Sequence, residues 1–181
     1  MCEWDERVKM NELIHDVELS FKLFEFSVRT MCFAELGEIN SEIFGRELQL
    51  NFEVENFSFS EGRFTKQEEI ICASQMAVSA AFAATATCLD CALENHEASS
   101  SELKILKSLI SAVRNAFAHG IAAPRWYIKK HKYEILNLNF ILGPEISLES
   151  LNGEPFDYSQ IGGLALWYRV KNEVVHALSN T

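Results

Sequence analysis

Residues 99–120 read SSSELKILKSLISAVRNAFAHG. Leu103, Leu106, Ile110, Val113 and Phe117 recur at three- and four-residue spacing, the period of one face of an α-helix. Ser99 followed by Glu102 has the form of a capping box at the start of that helix. Gly120, with Pro124 four residues on, ends it. A helix with one apolar stripe must bury it against other elements, so the surroundings have to supply them.

Three more helical segments do so. From about residue 5 to 35, Val8, Leu13, Val17, Phe21, Phe24, Val28 and Met31 keep the same spacing. Thr65 and Glu68 offer a second capping box, opening a helix that runs to about Glu94. The last segment, about Leu164 to Leu178, places Trp167, Val170, Val174 and Leu178 on one face. Two regions are strand-like. QLNFEVENFSF (49–59) begins with the alternation of a half-buried strand. RWYIKKHKYEILNLNFIL (125–142) reads as one or two strands, with turns at Gly143-Pro144 and Asn152-Gly153. The expected fold is mainly α, a single domain over 1–181, with strand-like insertions near 49–60 and 125–150 forming a small β-hairpin appendage.

The twenty residues Ile70–Leu89, IICASQMAVSAAFAATATCL, carry no charge and have membrane-spanning length. Ala, Ser, Thr, Gln and Cys dominate them, which reads as a buried central helix that neighbours approach closely rather than a membrane span. The first fifteen residues are too charged for a secretory signal. Five cysteines without framework spacing point to a reduced, cytoplasmic setting. The net charge is −10, which argues against a surface basic throughout and against a general duplex-DNA binder. Residues 1–120 hold 20 acids and 10 bases, and residues 121–181 hold 6 of each, so the whole imbalance precedes the end of the RNAFAHG stretch.

Arg114, Asn115 and His119 form the strongest candidate site. Cutting a phosphodiester in RNA without a metal needs one group to take the 2′-OH proton and another to protonate the 5′-oxygen. It also needs positive charge on the transition state. Histidine does either proton task near neutral pH. Arginine keeps its charge and presents paired N–H donors to phosphate oxygens, and Asn115 would orient the imidazole or donate to phosphate. On an unbroken helix, side chains five residues apart diverge by about 140°. Convergence therefore requires the helix to end near Ala118–Gly120 or a second chain to supply a motif. The bland alternative has His119 bonding the last carbonyls and Arg114 paired with a glutamate on the next helix.

Arg-polar-x-x-x-His at the end of an amphipathic helix resembles the R-x4–6-H signature of HEPN domains. The resemblance implies an antiparallel up-and-down helical bundle. It also implies a metal-independent endoribonuclease without cofactor that acts as a homodimer bringing two motifs together, as a toxin or defence effector with a possible cognate antitoxin. Other members of that family are non-catalytic RNA- or protein-binding and dimerisation modules. Two further pairs satisfy the loose spacing. Arg125–His131 lies in a strand-like segment, and Arg169–His176 lacks the polar residue after its arginine.

PRWYIKKHKY (124–133) is the dense basic run that follows the motif. Read as a strand, Arg125, Tyr127, Lys129, His131 and Tyr133 share one face, and Trp126, Ile128, Lys130 and Lys132 the other. Basic groups interleaved with aromatics suit single-stranded RNA, through phosphate contacts from Arg125, Lys129, Lys130 and Lys132 and base stacking on Trp126 or Tyr127, whichever ring is exposed. A solvated hairpin with its aromatics packed on the helices is the alternative. The pair in CLDC, Cys88 and Cys91, has no second pair or nearby histidine to make a zinc set, and reads as buried small residues in a helix. His15, His96 and His176 stand alone, and no metal site is expected.

Overall fold

The computed structural model of the chain describes residues 3–94 and 100–180. In chain order it runs α1 (Glu3–Glu35), α2 (Ser41–Phe44), β1 (Leu48–Asn51), β2 (Asn56–Phe59), α3 (Gln67–Glu94) and α4 (Ser101–Ala118). There follow β3 (Ile135–Asn137), β4 (Glu145–Ser147), α5 (Leu148–Leu151) and α6 (Gly163–Ser179). Short 3-10 turns occupy Lys130–Lys132, Asn139–Ile141 and Tyr158–Ile161. The fold is mainly helical, with two two-stranded antiparallel ribbons. It divides into two compact units, one of Met1–Leu23 with Ser79–Thr181, the other of Phe24–Val78.

The larger unit is built around Phe82 of α3, which has no solvent exposure. Its ring meets Phe117 of α4 at 5.4 Å, Phe156 at 5.6 Å, Tyr158 at 4.9 Å and Trp167 of α6 at 5.3 Å. Such edge and tilted pairs add to burial about 0.5–1.5 kcal/mol each. The Trp167 Nε1–H donates to the buried Thr85 hydroxyl at 2.9 Å, and that hydroxyl donates to the Phe82 carbonyl at 2.7 Å. The small residues of α3 thus bring α6 close while leaving the indole satisfied. On the same unit Lys171 Nζ donates to Glu18 at 2.7 Å, and Phe21 packs edge-on to Tyr168 at 5.1 Å.

Residues 124–128 run extended beside 152–156. The Trp126 N–H donates to the Glu154 carbonyl at 3.0 Å, the Gly153 N–H to that of Trp126 at 2.9 Å, and the Phe156 N–H to that of Pro124 at 2.9 Å. The Arg125 N–H donates to the Ala116 carbonyl at 3.2 Å, tying the segment to the last turn of α4. Farther on, β3 pairs with β4, Leu136 opposite Ile146, around a turn containing Gly143 and Pro144. A Cβ at Gly143 would lie 2.7 Å from the Leu138 Cβ, so only glycine fits that bend.

In the second unit β1 and β2 form a ribbon with Leu48 opposite Phe59 and Leu50 opposite Phe57. These four share one face, and Gln49, Asn51, Asn56 and Ser58 the other. The Gln67 carboxamide donates to the Ala34 carbonyl, and the Gly62 N–H to that of Gly45 at 3.1 Å.

The four long helices stand where periodicity puts them, and Val170, Val174, Leu178, Leu106, Ile110 and Val113 are all buried. Four local expectations are corrected. The helix after residue 65 is capped one position later than the Thr65–Glu68 box, with the Lys66 N–H donating to Glu69 at 3.2 Å. Ser99 and His96 lie outside the described residues; the side chain capping α4 is Ser100, which accepts from the Leu103 N–H at 3.1 Å. Residues 49–59 are a hairpin instead of one half-buried strand. The Phe52 N–H donates to the Glu55 carbonyl at 2.9 Å to reverse the chain, and Phe57 and Phe59 are each 51% exposed. Residues 125–142 hold only the short β3 as a strand, because 3-10 turns at 130–132 and 139–141 interrupt the alternation. Among the described residues α3 is the helix long and apolar enough to cross a membrane by length and composition; Phe82, Leu89, Ala86 and Leu93 on it face the interior.

Removing the central ring should be costly. Phe82→Ala is expected to lower unfolding free energy by about 3–5 kcal/mol. Val54→Ala, at a position 96% exposed, should change it by less than about 0.5 kcal/mol. Urea denaturation with unchanged m-value measures both.

Candidate functional site

The polar side of α4 opposes its buried stripe. Ser108, Ser111, Arg114 and Asn115 recur at three- and four-residue spacing there and border a cleft of about 410 Å³. His119 follows at the helix terminus, with φ −99° and ψ −7°, just outside the last helical residue. Termination of α4 at Ala118 thus lets Arg114 and His119 border the same cleft despite their five-residue spacing. Both also border an adjoining open depression of about 660 Å³ with Asn115, Thr87 and Gly120, so the motif forms the ridge between two concavities.

The opposite wall comes from the basic run. Trp126 and Ile128 are buried, at 1% and 7% exposure, with Ile128 also reaching the lining of the cleft, while Tyr127 and Lys129 are exposed and border it. The Tyr127 ring stands edge-on to the His119 imidazole at 5.0 Å between centroids. The 3-10 turn then brings His131 and Lys132 to the same wall, with Glu134 beyond them.

Arg114 is held from two sides. One guanidinium nitrogen pairs with Asp90 of α3, and the other donates to the Asn115 side-chain oxygen at 3.1 Å. The partner is thus an aspartate on the preceding helix, where a structural arginine is expected to meet a glutamate on the next one. It leaves the arginine side chain 42% exposed while Asp90 is 15% exposed. The Asn115 oxygen is engaged by arginine, so the carboxamide orients the guanidinium rather than the imidazole. Nothing in the motif's spacing points to Asp90. Its signal in the sequence is that it ends the uncharged run Ile70–Leu89, where a lone acid next to a packed helix needs a cation. Ser108 and Ser111 are equally legible as a stripe leading to Arg114 and Asn115.

The expected RNA contacts separate into two groups. Tyr127, Lys129 and Lys132 border the cleft; Arg125, Trp126 and Lys130 do not. Trp126 is corrected as a stacking platform, because its indole is buried and its Nε1–H donates to Gln160 at 2.8 Å. Arg125 spends its guanidinium on the Gly153 carbonyl at 3.1 Å. Lys130 is exposed on the part of the 3-10 turn away from the lining residues.

The remaining motifs fall elsewhere. Arg169 donates to the Ile141 and Leu142 carbonyls at 2.9 and 3.2 Å, and His176 lies beside Asn180. Cys88 is half-buried, and Cys91 is exposed, contrary to the expectation of two buried cysteines. Burial pushes the Cys88 thiol up, opposed by a hydrogen bond from Ser20. Among the described residues no group of three or more His, Cys, Asp or Glu side chains is placed to hold a metal ion. Comparison with family models, curated proteins and solved structures gives no match.

The Asp90–Arg114 pair should be energetically coupled, since one partner is mostly shielded from water. A double-mutant cycle with Asp90→Ala and Arg114→Ala is expected to give about 1 kcal/mol or more of interaction energy, above the usual value for exposed pairs. A coupling near zero would mean that solvent screens the pair completely.

Proposed function

We propose that this chain is a metal-independent endoribonuclease of HEPN type, with an antiparallel up-and-down helical bundle as its scaffold. The observation that carries this reading is the shared cleft, in which Arg114 and His119 face Tyr127, Lys129 and Lys132. Its volume falls in the ordinary range for small-ligand sites, about 300–1,000 Å³, so it accepts a nucleotide unit and not a duplex. Arg114 is assigned to the non-bridging phosphate oxygens, where its free donors offset the charge that builds up as the 2′-oxygen attacks. Asp90 and Asn115 orient that guanidinium. His119 is assigned to proton transfer. Tyr127, 55% exposed, is the ring on which a base stacks, and Lys129 and Lys132 neutralise flanking phosphates.

The family resemblance adds a homodimer, a cytoplasmic setting, and a role as toxin or defence effector with a cognate antitoxin; these belong to the proposal. One specific observation favours a second reading, a non-catalytic HEPN-like module that binds RNA or protein. The Asp90 carboxylate already neutralises part of the Arg114 charge, which weakens its hold on a phosphorane.

Purified protein is expected to cut single-stranded RNA in EDTA and leave 2′,3′-cyclic phosphate ends. Arg114→Ala and His119→Ala should each lower the rate about a hundredfold or more. Unchanged cleavage by both folded variants overturns the nuclease assignment and leaves the binding module.

Binding itself is expected to depend on two lysines. Lys129→Glu with Lys132→Glu should weaken RNA affinity and flatten its salt dependence, by roughly 0.7 in log–log slope for each phosphate of a single strand that is no longer neutralised. Fluorescence anisotropy across a salt series reads this out. An unaltered slope would move the RNA path away from this wall.

A further inference from the structure

Resting on the nuclease reading, a site formed within one chain leaves one proton-transfer role open, because the motif supplies a single histidine per chain; in a site shared by two chains the partner's motif would fill it. We infer that His131 fills it, so that one chain carries both proton-transfer groups of its own active site. His131 borders the same cleft as His119 and Arg114. An extended strand already puts His131 on the side of Tyr127 and Lys129, and the bend explains how Lys132 joins it. Up to Lys129 the segment is extended, with Trp126 and Ile128 buried and Tyr127 and Lys129 exposed along the cleft. A strand continuing past that point would put His131 and Lys132 on opposite faces. The 3-10 turn, closed by the Lys132 N–H donating to the Lys129 carbonyl at 2.8 Å, replaces that alternation with steps of about 120° per residue. His131 and Lys132 can then border one wall together.

The chemistry closes with these groups. One imidazole takes the proton from the 2′-OH as that oxygen forms its bond to phosphorus. The other, protonated, gives a proton to the 5′-oxygen as the P–O5′ bond breaks. The products are a 2′,3′-cyclic phosphate and a 5′-hydroxyl; no water or further reactant is consumed, and solvent returns each imidazole to its starting state. Glu134 also borders the cleft and is the competing base. Imidazole is the side chain most often used to take or give a proton at a reacting oxygen, which favours His131 over Glu134.

The test compares His131→Asn, His119→Asn and Glu134→Gln on single-stranded RNA, with folding verified by circular dichroism. His131→Asn and His119→Asn are each expected to lower kcat about a hundredfold or more, and Glu134→Gln to change it only a few-fold. Mixing the two histidine variants should restore nothing, since every chain then lacks one group. Recovery of a substantial share of the wild-type rate would show that two chains share the roles and would overturn the inference. So would full activity in His131→Asn, or loss in Glu134→Gln with His131→Asn active. If His119→Asn is inactive and His131→Asn is active, only this inference fails. If the wild-type chain does not cleave RNA, the nuclease reading fails and the inference with it. Independently of activity, titration with inorganic phosphate should shift the ring resonances of His119 and His131 with one common Kd; a response from His119 alone would contradict the shared site.

Discussion

Phe82 is the constraint on which the larger unit depends. A ring with no exposure, touched by Phe117, Phe156, Tyr158 and Trp167, fixes how α3, α4, α6 and the stretch before α6 approach one another. Its influence reaches the cleft through covalent neighbours. Phe117 lies two residues before His119 and packs on Phe156 at 4.9 Å. Phe156 packs on Trp126 at 5.2 Å. With Trp126 drawn into the core, the residue after it must face outward, and that residue is Tyr127. The positions of the two cleft walls therefore follow from packing behind them, which is how rigid sites are usually supported.

The helices are legible in the sequence because each carries a long, regular stripe, and burial of the stripe overrides small local preferences. The β regions are not. The reversal in residues 52–55 is made by Phe, Glu, Val and Glu, none of which signals a turn. The 3-10 turn at Lys130–Lys132 likewise contains no glycine or proline, and the run Lys129-Lys130-His131-Lys132 carries no signal that separates a bend from a solvated strand. Cap positions differ by one residue for a related reason. Runs such as Ser99-Ser100-Ser101 offer several equivalent hydroxyls, and only tertiary placement selects among them. In the site, spacing and charge pick out Arg114, Asn115, His119, Tyr127, Lys129 and Lys132, but together with Arg125, Trp126 and Lys130, and do not tell which of them border the cleft. They do not single out Asp90, which is distant in sequence and meets Arg114 only through helix packing.

Charge in the cleft is arranged pair by pair rather than by an overall field. Arg114 is opposed by Asp90, and the wall that carries Lys129 and Lys132 also carries Glu134. At physiological salt, interactions between exposed charges fade beyond about 8 Å. A phosphate seated in the cleft would thus respond mainly to the groups lining it, and little to the net charge of −10.

That net charge has another bearing when set beside the ribbon of β1 and β2. Residues 24–78 hold 10 acids and 4 bases, so this unit accounts for −6 of the −10. The same unit exposes Leu48, Phe57 and Phe59 on one face of a two-stranded sheet with open edges. Such a ribbon is a template for strand-to-strand aggregation. Glu47, Glu53, Glu55 and Glu61, all exposed, flank it at both ends and at the turn. They act as gatekeepers, making edge-to-edge approach of two like-charged ribbons unfavourable. The acidity of this unit then bears on colloidal stability: like charges around an apolar ribbon oppose its approach to a copy of itself, while the field within the cleft is set by the groups that line it.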